Sequence, residues 1–455
     1  MPNLIVTEKP STAQSISKAL GITKRRTGYL EGGNYLVSWC VGHLVELAPP
    51  GSYDSKLVKW SRADLPILPK TWQYLVSPGT QKQFEVLRSL MARPDVDSLI
   101  CATDAGREGE LIFRLVYHQC KCKKPFTRLW ISSMEDAAIR EGFAHLKPST
   151  EYDALYKAAL CRERADWLVG INATRLFSCL YGQPLNVGRV MTPTLAMTVS
   201  REAAIDVFRP EPFYTVLLKM EDCMASSERF KNKSQAEALL AECQKSNRAV
   251  LQKTERKEKT ERPPALYDLT SLQRDANRLL GYSAQQTLDY TQALYEKKLV
   301  TYPRTDSRYL TEDMEPGLPD LVRQTAAHFG VTGEIPIHTK QVINSKKVSD
   351  HHAILPTRSM ANADLSSLPA GEAHVLRLIA ARLLAAVGEP YRYAETTVQM
   401  ECAGQVFTAK GKTVLAEGWK AVERAVLGDT DEKDKEKLEI LPEVQGQETL
   451  PVLDA

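Results

Sequence analysis

The 455-residue chain has no apolar run approaching the roughly 18 residues of a membrane span. No leader precedes its first strand pattern, since Met1-Pro2-Asn3 opens directly onto Leu4-Ile5-Val6. These absences predict a soluble cytoplasmic protein with no membrane partner. An excess of one charge sign is missing too: 59 Lys and Arg face 56 Asp and Glu, a net of +3. Bulk charge therefore does not mark a polyanion binder, and any such track must be local. The nine cysteines are scattered, and the closest pair, Cys120 and Cys122, lacks the Cys-x-x-Cys interval of a zinc ribbon. They read as free thiols in a reducing compartment. What remains is ordinary globular material, 43% hydrophobic, with length for roughly two to four domains.

The densest chemistry lies in Thr301-Tyr302-Pro303-Arg304-Thr305-Asp306. Pro303 biases Tyr302 toward extended backbone, so the ring is presented instead of lying along a helix. Arg304, two residues on, projects to the same side and offers a planar fork to a phosphate. A phenol beside a guanidinium suits a tyrosine nucleophile attacking a phosphodiester, although Tyr-Pro in a turn is far more often structural. At the N-terminus, Leu4-Ile5-Val6 reads as a buried strand emptying into Thr7-Glu8-Lys9-Pro10-Ser11 and a helix. A second strand-to-helix unit runs from Ser98-Leu99-Ile100-Cys101-Ala102 through Thr103-Asp104-Ala105-Gly106-Arg107-Glu108-Gly109-Glu110 into an apolar helix, Leu111 to Tyr117. Ligands collect beyond the carboxyl ends of strands in an open α/β sheet, so Glu8 and the Asp104, Glu108, Glu110 group could converge there. Converging carboxylates suit Mg²⁺. A solvated first helical turn explains the acidic cluster about equally well, because acidic residues favour helix N-termini.

Taken in order along the chain, these motifs resemble the type IA DNA topoisomerases, and within them the bacterial topoisomerase III branch of the kind carried by mobile elements. The matching stretches are Thr7 to Ser11, the Toprim signature Asp104 to Glu110, Arg164-Ala165-Asp166-Trp167-Leu168-Val169-Gly170, and Gly188-Arg189-Val190-Met191-Thr192-Pro193-Thr194. Asp268 to Gln273, the tyrosine run and His351-His352-Ala353-Ile354-Leu355-Pro356-Thr357 complete the set. Two positions depart from the pattern: Gly106 stands where the family has a second Asp, and Met191 where it has Gln. The family core also continues past Ala455 with a further helical segment, and none of the zinc-ribbon cysteines that many relatives append is present.

The resemblance implies a multidomain α/β plus α+β fold, with an N-terminal Toprim domain and a type IA toroidal core incomplete at its C-terminus. The expected division is a Toprim domain over 1–145 and a helical single-strand groove over 146–210. A strand-rich hinge or arch follows over 211–258 and 389–427, then an inserted tyrosine domain over 259–388 and a charged tail over 428–455. The mixed-charge segment Lys253 to Arg262 reads as a connector, and Asp429 to Glu439 as a solvated linker. In the inserted domain Asp268 reads as an N-cap, and Ser283-Ala284-Gln285-Gln286 has capping-box spacing. Two helices around Gly281 also describe a helix-turn-helix, so a duplex-binding regulator is the rival reading. That rival leaves Glu8, the acidic signature and Tyr302 without a role.

The resemblance further implies ATP-independent transesterification on single-stranded DNA. Tyr302 is the nucleophile that forms a 5′-phosphotyrosyl link, and Arg304 and then Lys9 stabilise the phosphate. Glu8 is the general acid for the departing 3′ oxygen, and Asp104 holds Mg²⁺ with Glu108 or Glu110 and Glu8. His351 assists at the phosphate, His352 could share that duty, and Arg162, Arg164, Arg189 and Thr192 belong to the DNA groove. Expected partners are single-stranded DNA and negatively supercoiled or catenated duplex DNA, with a helicase as a further candidate. The protein would act as a nucleoid-associated monomer. A truncated fragment that binds or cleaves without full relaxation, and a non-catalytic DNA-binding protein, are the alternatives.

Overall fold

The computed structural model describes residues 2–131, 134–221, 223–333, 336–348, 351–428 and 449–455. The segment Asp429 to Glu439, read above as a linker, lies outside them. The chain divides into two compact units, one made of 1–207, 288–307 and 348–363, the other of 208–287, 308–347 and 364–455.

The first unit is built on a seven-stranded sheet. At its centre Asn3–Thr7 lies between Tyr35–Trp39 and Leu99–Ala102, parallel to both, and Phe126–Arg128 continues the parallel run. Leu4, Ile5 and Val6 are buried on both faces, which is why the strand reads as an unbroken apolar run. The helices Pro10–Ala19, Gln81–Ala92 and Arg107–Gln119 supply apolar side chains to its cores. Register positions the site: Thr7 pairs with Ala102, so Glu8 and Thr103 leave the sheet side by side. The sequence reading began the third helix at Leu111, but it starts at Arg107 and takes the acidic signature into its first turn. Gly109 is required there, because a Cβ at this position would stand 2.1 Å from the Asp104 carbonyl oxygen.

The 29-residue helix Asp153–Tyr181 follows, ending at Gly182 with φ +67°, and then the helix Met191–Asp206, none of whose residues is buried. The tyrosine segment runs beside residues 351–357. The Thr301 N–H donates to the Leu355 carbonyl at 2.9 Å, and the Thr357 N–H to the Leu299 carbonyl at 2.9 Å. Thr305 Oγ1 donates to the His351 carbonyl at 2.9 Å. These bonds fix Tyr302 against His351.

The second unit carries a six-stranded sheet in which Arg248–Glu261, Tyr391–Cys402 and Gln405–Ala416 are neighbours. Tyr391–Cys402 and Gln405–Ala416 are the strands within the stretch 389–427, where strands are expected. Three expectations are corrected. The segment Lys253 to Arg262 is not a connector, because Arg248–Glu261 is one 14-residue strand. The expectation that 211–258 is strand-rich holds only in part, because Lys233–Ser246 is a helix, capped by Asn232 and burying Ala236, Leu239 and Cys243. Within the expected tail, Thr449–Pro451 pairs with Arg248–Val250. Both capping expectations hold: Asp268 accepts from the Ser271 N–H at 2.7 Å, and Ser283 and Gln286 exchange backbone-to-side-chain bonds at 2.9 and 3.2 Å.

Candidate active site

Tyr302 is 9% exposed. Its ring lies 4.3 Å from that of His351, and Tyr295 meets it edge-on at 5.4 Å. The hydroxyl donates to the Asp104 carboxylate and is in hydrogen-bonding contact with Arg304. Burial, then the Asp104 charge, push the phenol above its ordinary value, while Arg304 pulls the other way without prevailing. The phenol is therefore protonated at neutral pH. Any activation must come at the moment of attack, through proton transfer or through stabilisation of charge on the phosphate.

Glu8 lies at the strand end beside Asp104, whose backbone N–H donates to it. Burial, followed by the like charge of Asp104, raises Glu8 to about 7, against the opposing pull of Lys9 and Arg304. Asp104 is likewise raised, by burial above all. Lys9 caps the helix Pro10–Ala19 from extended backbone, and its carbonyl accepts from Thr7 Oγ1 at 3.0 Å. Arg304 is exposed and donates to Gln292 Oε1 at 3.0 Å. His351 is brought down to about 4, by burial first and His352 second, so its ring is neutral.

Two half-buried carboxylates whose ionised forms desolvation disfavours, Glu8 further through the charge of Asp104, form a site a hard divalent cation would relieve. Among the described residues no group of three or more His, Cys, Asp and Glu side chains could hold a metal. Glu8 and Asp104 alone fit Mg²⁺, which takes one or two carboxylates and completes its shell with water and phosphate.

Residues 150–455 match the family described as DNA topoisomerase, and residues 3–134 match the Toprim domain, a divalent-metal-binding domain. The chain belongs to the DNA topoisomerase family. It is 41% identical over 466 residues to the DNA topoisomerase 3 of Bacillus cereus, covering 99% of this chain and 63% of that one. It is 43% identical over 463 residues to the DNA topoisomerase 3 of Bacillus subtilis, with the same coverage. The full-length topoisomerase I structure from Thermotoga maritima shares the fold, with a TM-score of 0.74 at 21% identity over 99% of this chain and 70% of that one. The motif-based resemblance to type IA topoisomerases of the topoisomerase III branch is borne out. The chain spans 63% of the length of these Bacillus relatives.

Family membership draws attention to what the fold does with the other expected residues. Glu108 is exposed and accepts from Arg162 at 2.8 Å. Glu110, expected among the metal ligands, is fully buried: its Oε1 meets Arg114 Nε at 2.7 Å and its Oε2 meets Arg128 Nε at 3.1 Å. Neither joins Glu8 and Asp104 in a three-carboxylate group. Arg189 pairs with Asp166 at 2.6 Å, and Arg162 approaches the same Asp166 at 3.9 Å. Arg164 lies over the Trp72 ring at 5.3 Å, and Thr192 Oγ1 accepts from the Gly188 N–H at 3.0 Å. His352 Nδ1 is 2.7 Å from the Ala353 carbonyl oxygen. Sequence reasoning missed Arg128, Tyr295 and Gln292. Arg128 had a signal, a lone cation in the strand pattern Phe126 to Ile131; Tyr295 and Gln292 lie on an ordinary amphipathic helix and had none.

Proposed function

We propose that this chain breaks and rejoins single-stranded DNA by transesterification at Tyr302, without ATP. The observation that carries the reading is the buried Tyr302 hydroxyl held between the Asp104 carboxylate and the Arg304 guanidinium, with Glu8 next to Asp104. Tyr302 Oη attacks phosphorus, its proton passes to the carboxylate it already bonds, and the P–O3′ bond breaks. Glu8, at about 7, is half protonated near neutrality and can give its proton to the departing 3′ oxygen and recover it on rejoining. The product is a 5′-phosphotyrosyl link and a free 3′-hydroxyl; one phosphoester replaces another, so no external energy is consumed. Arg304 and Lys9 bear on the charge developing at the phosphate. His351, neutral and packed against Tyr302 with the ring planes tilted 37°, acts as a hydrogen-bonding ring there. Mg²⁺, when held by Asp104 and Glu8, would supply electrostatic positioning of the cut ends.

Arg162, Arg164, Arg189 and Thr192 in this reading track single-stranded DNA, with His352 nearer the break. Negatively supercoiled or catenated duplex would be the physiological substrate. The division into a Toprim domain, a groove, an arch and an inserted tyrosine domain belongs to the same proposal. A second reading is binding or cleavage of single-stranded DNA without full relaxation. The deciding experiment incubates the chain with a labelled oligonucleotide and Mg²⁺, denatures it and looks for a covalent adduct. An adduct absent in Tyr302→Phe is the expected result; tight binding with no adduct would overturn the nucleophile assignment. Relaxation of supercoiled plasmid by the same preparation separates the two readings.

A further inference from the structure

The Glu110–Arg128 pair is more than a fold brace. Arg128 is fully buried at the end of the strand Phe126–Arg128, in register with Cys101 of the strand that leads to Asp104. Its Nη1 donates to the carbonyls of Cys101 at 3.1 Å, Thr103 at 2.7 Å and Leu129 at 2.9 Å. Its Nη2 donates to the carbonyl of Asp104 itself at 2.6 Å. The Cys101 carbonyl also accepts from the Leu129 N–H at 3.0 Å, whereas Thr103 and Asp104 lie past the strand end, where a buried carbonyl left unpaired is costly. One rigid guanidinium therefore clamps the backbone on both sides of the turn that carries the Asp104 carboxylate. Only a planar fork with several fixed donors can do this; an ammonium on a flexible stem cannot reach the same set.

The clamp is anchored from behind. Glu110 sits between Arg128 and Arg114, and Arg114 also reaches Asp153 at 2.5 Å and the Ser149 carbonyl at 2.8 Å. The chain of contacts runs from the first turn of the helix Asp153–Tyr181, through Arg114, Glu110 and Arg128, to the Asp104 turn. Gly109 holds the same turn from the helix side: Thr103 Oγ1 donates to its carbonyl at 2.8 Å, and a Cβ there would strike the Asp104 carbonyl.

We infer that Arg128, tethered by Glu110, is a positioning residue that sets the direction of the Asp104 carboxylate toward Tyr302 and toward a divalent cation. Neither residue touches DNA or the reacting atoms. Glu110 thus serves the metal site from a distance as the counter-ion of the clamp. The inference rests on the proposed function for its link to catalysis, but its effect on cation binding stands apart from it.

The test compares wild type with Arg128→Lys, which keeps the charge and loses the fork, and with Glu110→Gln, which keeps the carbonyl bonds and loosens the tether. Thermal unfolding is followed against Mg²⁺ concentration, and adduct formation and single-strand affinity in EDTA are measured alongside. In Arg128→Lys the Mg²⁺ concentration for half-maximal stabilisation should rise by about tenfold or more, the usual effect of losing a partner that orients a ligand. Adduct formation should slow, while oligonucleotide affinity stays unchanged. Glu110→Gln should show a smaller shift in the same direction. Wild-type Mg²⁺ dependence in a folded Arg128→Lys overturns the inference, as does a wild type that Mg²⁺ does not stabilise. If Arg128→Lys fails to fold, an unshifted Glu110→Gln overturns it. Normal Mg²⁺ stabilisation with no adduct from wild type would instead defeat the proposed function.

Discussion

At the residue scale the half-buried Glu8 and the buried His351 set a pH dependence whose sign can be worked out. Glu8 stands at about 7 in the fold against an ordinary 4.5. A raised carboxyl favours the folded state when protonated, so its contribution is fully present below about 4.5 and lost as pH rises through 7. His351, lowered to about 4 from 6.5, acts oppositely: its contribution is present above 6.5 and lost as pH falls through 4. The windows overlap, so the mutant difference isolates each group. Glu8→Gln should gain thermal stability relative to wild type between pH 5 and 8, a change that paired melting curves across that range would read; parallel curves would show that Glu8 is not raised. Mg²⁺ requires the ionised carboxylates, so it should stabilise wild type more at pH 8 than at pH 6, by the proton it must displace. An Mg²⁺-induced melting shift of equal size at both pH values would exclude Glu8 and Asp104 as its ligands.

At the element scale the helix Arg107–Gln119 is set by its approach to the turn before it. Gly109→Ala would place a Cβ 2.1 Å from backbone at Asp104. Main chain cannot yield as a flexible side chain does, so the helix must move, at a cost of about 1–3 kcal/mol or more. Denaturant unfolding should show that loss together with weakened Mg²⁺ binding, whereas a stable variant would mean the turn is loose. In the second unit Asp268→Ala removes a capping box whose side-chain bond is 2.7 Å. The expected loss is about 1 kcal/mol, visible in the same assay with the adduct chemistry untouched. The two capped helices were legible because caps are local. The helix Lys233–Ser246 was legible in principle, since Ala236, Leu239, Leu240 and Cys243 recur at helical intervals, but the polar residues between them dominated the reading. The strand Arg248–Glu261 was legible only at its start, Ala249 to Leu251: most of its side chains beyond Leu251 are exposed, so no alternation marks a core face, and pairing with Tyr391–Cys402 makes the rest a strand.

At the scale of the whole molecule, every residue expected to act at the break falls in one compact unit, gathered from 1–207, 288–307 and 348–363. That unit also presents the helix Met191–Asp206 with Leu195 61% and Met197 66% exposed, two large apolar side chains open to solvent. Binding of a solvatochromic apolar dye should fall in the Leu195→Lys, Met197→Lys double variant with circular dichroism unchanged. Undiminished dye binding would place the apolar surface elsewhere.

The sequence by itself determined the chemistry on offer: a phenol, a guanidinium and two acidic motifs at strand ends, in an order that belongs to one family. Such features are read from neighbours along the chain, and the comparisons bear out the family they named. Tertiary structure decided which of those groups act together. Glu8 and Asp104 become partners because Thr7 and Ala102 share a register, and their raised affinity for protons exists only because the fold buries them. Glu110 looked like Glu108 in the motif, yet helical rotation turns one into a buried counter-ion of Arg114 and Arg128 and leaves the other at the surface with Arg162. Ionisation and pairing depend on burial and on charges brought close through space, and chain order carries neither.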